Sequence, residues 1–171
     1  MFQPNKELNQ EDPFVTPSEA AEEESIGPMQ RCVLFNLDRE IYGIDVSHIR
    51  EVLRVGRIRN VPGSDARILG VINVRGVIVT VVDMRRMINV PVSDITDRSR
   101  IIIVELDEER PVGLLVDNVL EVRDIPEKRI ESIGASQEEN SKYIQGIAHY
   151  MNQVIILVDV FNLLDEEADE H

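Results

Sequence analysis

Apolar residues recur along this chain in short runs separated by polar turns, a spacing that predicts strands rather than long helices. Cys32-Val33-Leu34-Phe35-Asn36-Leu37, the polar stretch Asp38-Arg39-Glu40 and Ile41-Tyr42-Gly43-Ile44 read as a β-hairpin. Val46, Ile49, Val52 and Leu53 then recur at helical spacing, with Asp45 or Ser47 placed to cap that segment. Pro62-Gly63 breaks the pattern, an Asp65 cap leads into Ala66-Arg67-Ile68-Leu69, and a second hairpin follows with its turn at Arg75-Gly76. Glycine supplies the positive φ that such a turn requires. Asp83 closes the hairpin and is placed to cap a short helix from Met84.

The same plan is then repeated. Gly70-Val71-Ile72-Asn73-Val74-Arg75-Gly76 through Asp83 has a counterpart 76 residues later, from Gly146 to Asp159, with its turn at Met151-Asn152. Met84-Arg85-Arg86-Met87-Ile88 matches Val160-Phe161-Asn162-Leu163-Leu164. Upstream, Tyr42-Gly43-Ile44 through Glu51-Val52 is echoed 70 residues later by Val112-Gly113-Leu114 through Glu121-Val122. Ile101 to Leu106, a turn at Asp107-Glu108-Glu109-Arg110 and Val112 to Val116 supply the second copy of the first hairpin. Pro126 and a polar stretch from Ser132 to Ser141 separate it from the last one. Two copies are too few for a solenoid and predict a pair of similar small β modules, barrels or sandwiches, packed together.

Val77 to Val82, Ile101 to Val104, Leu114 to Val116 and Val154 to Val158 are nearly continuous apolar runs, whereas strands of a lone small barrel alternate inward apolar with outward polar residues. Their outer faces therefore need cover. Packing of one module on the other supplies it, or a docked partner does, since contiguous apolar patches mark interaction sites.

A chain of 171 residues with 43% hydrophobic content suits one domain or two small subdomains. The net charge of −14 is concentrated at the ends: residues 1–30 carry −6, residues 165–171 carry −5, and residues 31–164 carry only −3. With Pro4, Pro13, Pro17 and Pro28 and few large apolar side chains, residues 1–30 read as a disordered acidic extension and residues 165–171 as an acidic tail. No apolar stretch of signal-peptide or membrane-spanning length is present, and Cys32 stands alone, so a soluble, cytoplasmic protein without a disulfide framework is expected. Nucleic-acid binding on a barrel surface calls for clustered cations and exposed aromatics; aromatics are 4% of this chain, which disfavours that class and direct binding to anionic membranes.

Candidate chemistry is sparse. The chain has no phosphate-binding glycine loop with its Lys and Ser or Thr, no His-Glu-x-x-His, no paired cysteines and no nucleophile elbow. His48, His149 and His171 are too scattered for a metal site, Cys32 opens an apolar strand as a small hydrophobe does, and Asp83 and Asp159 are explained as helix caps. A binding module without catalytic residues, cofactor or metal is the expectation.

Tyr42-Gly43-Ile44-Asp45, Ile49-Arg50-Glu51-Val52, Asn73-Val74-Arg75-Gly76 within the Gly70 block, Val79-Thr80-Val81-Val82-Asp83-Met84-Arg85 and Val112-Gly113-Leu114-Leu115-Val116-Asp117 together resemble the CheW-like family of bacterial chemotaxis coupling proteins, over about residues 31–164. The resemblance implies an all-β fold with short helices: two pseudo-symmetric five-stranded barrels, SH3-like or OB-like, intertwined, with repeat halves at about 31–97 and 98–164. It implies a non-enzymatic cytoplasmic scaffold, recruited to membrane receptor arrays through its partners, that links the tips of methyl-accepting receptors to the regulatory domain of a CheA-type histidine kinase. Carried over by motif, the receptor-facing residues are Ile49, Glu51, Gly70, Arg75, Val119 and Val122. Arg75 is expected to pair with a receptor acceptor or to lock the groove between modules through Glu51. Thr80 departs from the family pattern, where Pro is common, as does the length of the acidic N-terminal extension. An adaptor of a non-flagellar pathway, serving pili or second-messenger control, and more distantly an OB-type nucleic-acid binder, are the alternative readings.

Overall fold

The first hairpin pairs β1 (Met29–Leu37) with β2 (Glu40–Asp45), turning through Asp38 at φ 57°. The structure, a computed structural model, describes residues 27–105, 110–133 and 142–169. β1 thus begins at Met29, inside the stretch read as an N-terminal extension, and residues 1–26 of that extension lie outside the described residues. Asp45 caps the next segment by accepting the Ser47 N–H at 2.9 Å, but only a single 3-10 turn, Val46–His48, forms. The expected helix is replaced by β3 (Ile49–Arg54). The physical reason lies in the same residues, since Ile49, Glu51 and Leu53 turn one way and Arg50, Val52 and Arg54 the other, an alternation that suits a half-buried strand.

Asp65 accepts the Arg67 N–H at 2.8 Å and the chain enters β4 (Ile68–Val74), which pairs with β5 (Val77–Asp83). Arg75 and Gly76 sit at φ 50° and 89°, and Met151 and Asn152 at 53° and 61° between β10 (Ile144–Tyr150) and β11 (Gln153–Val158), so both repeated hairpins use the turn whose two central residues have positive φ. Asp83 caps α1 (Met84–Met87) and Asp159 accepts the Asn162 N–H at the start of α2 (Val160–Asp169), as expected. That second helix continues to Asp169, through most of the stretch read as an acidic tail. Between these blocks run β6 (Arg100–Val104), β7 (Val112–Val116), β8 (Asn118–Pro126) and β9 (Ile130–Ser132); most of the predicted turn after β6 lies outside the described residues.

One sheet runs β8-β1-β2-β11-β10-β9 and the other β3-β6-β7-β5-β4. Under the sequence repeat these orders match strand for strand, β8 with β3, β1 with β6, β2 with β7, β11 with β5 and β10 with β4. Each sheet therefore takes its leading hairpin from one half of the chain and its remaining strands from the other. The parallel pairs β2–β11 and β5–β7 make the exchange, with Tyr42 opposite Ile156 and Val81 opposite Gly113. Gly43 and Gly113, the repeated glycines in those strands, leave room for side chains behind them: an added Cβ would meet Leu157 at 3.0 Å and Ile101 at 2.8 Å.

Three apolar clusters result. Cys32, Leu34, Ile125, Ala148, Ile155 and Leu157 cluster on one face of the first sheet, and Ile72, Val79, Val81, Ile101, Ile103 and Leu115 on one face of the second. A larger cluster, including Phe35, Leu37, Tyr42, Ile44, Met84, Ile102, Leu114 and Val158, packs one sheet on the other. The run in β7 is explained: Val112, Leu114 and Val116 face the central cluster while Leu115 faces inward, so the strand is buried throughout, whereas Val77, Ile78 and Val154, at the turn ends of the runs in β5 and β11, stay exposed. Neither curled sheet closes by a continuous ladder, a detail in which the structure departs from the expected barrels. The seam holds three residues of β9 in one sheet and the single bridge between Arg59 and Val71 in the other.

Candidate protein-docking site

The motif residues fall into groups with different surroundings. Arg75 leaves the rigid β4–β5 turn and reaches across the seam to β3, where its Nη1 donates to Glu51 Oε1 at 3.1 Å and its Nη2 donates to Glu51 Oε2. The fork geometry of guanidinium and carboxylate suits this bidentate pairing. Hydrogen bonding from Arg75 holds the Glu51 carboxyl below its ordinary pKa, and Glu51 raises that of Arg75. The pair borders a hollow of about 140 Å³ whose other walls include Arg50, Val77, Val79 and Pro111. The Arg75–Glu51 contact expected from the sequence is present, and it joins the β4–β5 turn to β3 of the same sheet.

Ile49 and Val119 occupy the same place in the repeat, near the starts of β3 and β8, and both are half-buried against the central cluster. Val122, opposite Val33 on β8, is 58% exposed, and its repeat equivalent Val52 is 37% exposed. These are apolar side chains held at sheet edges by regular pairing. Gly70 stands apart, at φ 150° beside a register shift in β4, where an added Cβ would lie 2.0 Å from the Arg59 carbonyl oxygen. Its repeat equivalent, Gly146, meets the Glu131 carbonyl oxygen in the same way at 2.5 Å. Glycine is required at both seams for backbone passage, a structural reason that needs no partner.

The second sheet edge has its own version of the Arg75 link, which the motifs did not reveal. Arg123 on β8 pairs with Glu121 at 2.7 Å and donates to Gln153 beside the β10–β11 turn. Glu121 is the repeat partner of Glu51, and that correspondence was the available signal.

A buried network fastens the hairpins to one another. The Arg85 side chain, 4% exposed, donates from Nε and Nη2 to Asp83 at 2.9 and 3.1 Å, and from Nη1 to Asp117 at 3.2 Å and to the Ser93 carbonyl at 2.6 Å. Asp117 in turn accepts the Asp38 N–H at 2.7 Å, so the network reaches the β1–β2 turn of the other sheet. Burial pulls the Arg85 pKa down, but Asp83 and Asp117 outweigh it and the guanidinium is held charged.

Burial first, then Asp45 and Asp124, push the Cys32 thiol up to about 12. Thiolate is the reactive form, so iodoacetamide at about pH 8 should label the denatured chain and leave the folded one unmodified. Rapid native labelling, read by mass spectrometry, would contradict this burial. Among the described residues no group of His, Cys, Asp and Glu is arranged to hold a metal ion, and no helix is long and apolar enough to cross a membrane.

Comparison with known proteins agrees with this architecture. The chain is 31% identical over 142 residues to chemotaxis protein CheW of Bacillus subtilis strain 168, covering 82% of this chain and 90% of that protein. It is 30% identical over 132 residues to chemotaxis protein CheW of Thermotoga maritima, covering 77% of this chain and 85% of the relative. The crystal structure of scaffolding protein TtCheW from Thermoanaerobacter tengcongensis is similar at a TM-score of 0.71 and 33% identity, covering 77% of this chain and 89% of that one. The family model described as the CheW-like domain matches residues 31–168, which span both sheets and both hairpin exchanges, and the chain belongs to that family.

Proposed function

We propose that this chain is a non-enzymatic adaptor of bacterial chemotaxis signalling, a scaffold that couples methyl-accepting receptors to a CheA-type histidine kinase in the cytoplasm. The observation that carries the reading is the family match across the whole intertwined body, together with relatives named as chemotaxis and scaffolding proteins. Scaffolding needs surfaces held rigid in relation to one another. Here one central cluster and one buried ion network join the two sheets, so an edge residue on one is fixed relative to an edge residue on the other.

The receptor-facing role falls to Ile49, Glu51, Arg75, Val119 and Val122. A receptor's helical hairpin tip would lay apolar side chains against Ile49, Val119 and Val122, in the manner of a helix in a groove. Arg75 acts by holding the β4–β5 turn against β3 through Glu51, which keeps the groove wall in place. Gly70 serves the site only by letting β4 pass Arg59.

The test is reconstitution with receptor fragments and kinase. Arg75→Ala should leave the thermal transition close to that of the unmodified protein, because Arg75 is exposed and the half-buried Glu51 keeps Arg50 nearby, and yet impair receptor-dependent kinase activation. Val122→Asp should weaken receptor binding without unfolding, since the side chain is 58% exposed. Full activation by both variants would remove the assigned receptor role. Which receptors and kinase copurify with the chain separates flagellar chemotaxis from another chemosensory pathway.

A further inference from the structure

A groove of about 390 Å³ beside the β4–β5 hairpin has Arg57 and Arg59 in its walls with Val71, Asn73 and Ile78, and no carboxylate among the described residues. Ile78 is 62% exposed, the most exposed large apolar residue described. Arg54, Arg57 and Arg59 are exposed, and their side chains have no hydrogen bond or ion pair among the described residues. Arg59 is nevertheless held in position, because its backbone exchanges hydrogen bonds of 2.8 Å with Val71 in both directions. Three free guanidiniums gathered within six residues are unusual on a body whose charge is otherwise slightly negative.

The fold does not call for them. The carbonyl that faces Gly146 on the other sheet, as that of Arg59 faces Gly70, belongs to Glu131. The repeat partner of Arg54, 70 residues on, is Asp124. Two of these positions thus carry opposite charge on the two sheets, so the shared backbone plan does not itself require the arginines. An apolar floor flanked by guanidiniums selects an acidic segment that also carries apolar side chains.

This chain carries such a segment. Glu11, Asp12, Glu19, Glu22, Glu23 and Glu24 surround Phe14-Val15 with no cation between them. We infer that this groove takes the acidic, apolar-bearing segment 11–24 of the same molecule as its occupant. Twelve residues, and thus thirteen Cα–Cα steps, separate Phe14 from Gly27. They span up to ~45 Å when extended, on the order of the diameter of a domain this size, so reach does not limit the contact. Tethering keeps the segment at an effective concentration of about millimolar, enough to occupy a site of modest intrinsic affinity. The inference stands apart from the receptor reading and holds or fails without it.

The experiment uses the full chain. Gln10→Cys provides a single reactive thiol for a spin label, because Cys32 is buried and its thiol is protonated. In the isotope-labelled protein, amide signals of Val71, Asn73 and Ile78 should lose about half their intensity or more, as expected for substantial occupancy at millimolar effective concentration, while the repeat equivalents Ile147, His149 and Val154 keep theirs. Arg57→Glu with Arg59→Glu should abolish the loss, with a dispersed spectrum certifying the fold. Raising salt to about 0.5 M should weaken it in the unmodified protein independently of any variant. Equal broadening on both hairpins, persistence after charge reversal, insensitivity to salt, or an effect seen only between labelled and unlabelled chains in a mixture would each overturn the inference.

Discussion

Arg85→Ala is expected to cost about 3–5 kcal/mol of folding stability, because it leaves the buried Asp83 with only the more distant Arg86 at 3.8 Å and removes the hydrogen-bonded cation from the half-buried Asp117. Asp83 is 1% exposed and cannot recover its hydrogen bonds from water. The loss would also reach the other sheet, since Asp117 holds the Asp38 N–H of the β1–β2 turn. Urea denaturation should show a lower midpoint with a similar slope, the mark of lost stability rather than altered compactness. Asp83→Ala in the Arg85→Ala background should add much less than it does alone, since the two residues act as a unit. A cost for Arg85→Ala below about 1 kcal/mol, the range of a surface pair, would show that the network does not fasten the sheets.

Gly70→Ala is the second large effect. At φ 150°, with the Arg59 oxygen 2.0 Å from the new Cβ, the strand must shift and the bridge that stands at the seam must open. Strain of this kind costs about 2–3 kcal/mol, more if Ile58 is displaced from the cluster it supports. Gly76→Ala provides the comparison, because its φ of 89° is equally unsuited to alanine but nothing lies within 4 Å of the Cβ. It should cost only about 1 kcal/mol. Thermal melting of both variants separates steric blockade from backbone preference. If Gly70→Ala melts like the unmodified protein and still loses receptor coupling, Gly70 touches the receptor and its structural explanation fails.

Much of the local structure was legible. Turn residues at Arg75-Gly76 and Met151-Asn152, caps at Asp83 and Asp159, and the two offsets of the repeat all rest on interactions within a few residues, which a linear sequence displays directly. The segment from Val46 to Leu53 was misleading because Val46, Ile49, Val52 and Leu53 fit the helical period, whereas in the strand only Ile49 and Leu53 share the inward face. Only pairing with β6 and burial of Ile49 and Leu53 chose the strand. Among the site residues, the Glu51–Arg75 link was foreseen as one of two options, whereas its counterpart through Arg123 and Gln153 was not. No local rule connects residues 30 apart, and the turn at Met151-Asn152 has no arginine to draw attention to it.

The sequence by itself determined that the chain is a duplicated β protein, where its hairpins turn, which aspartates cap its helices and that its charge lies at its ends. The resemblance read from its motifs pointed to the family to which the comparisons assign it. The resemblance implied intertwined barrels, but only tertiary structure decided which elements are traded, so that β1 and β2 lie in a sheet with β8 to β11 and β6 and β7 in a sheet with β3 to β5. The physical reason is that both arrangements satisfy the same hydrophobic pattern and the same local turns. What separates them is long-range: parallel pairing at Gly43 and Gly113, a central cluster drawn from both sheets, and a buried arginine that finds its second carboxylate 32 residues away.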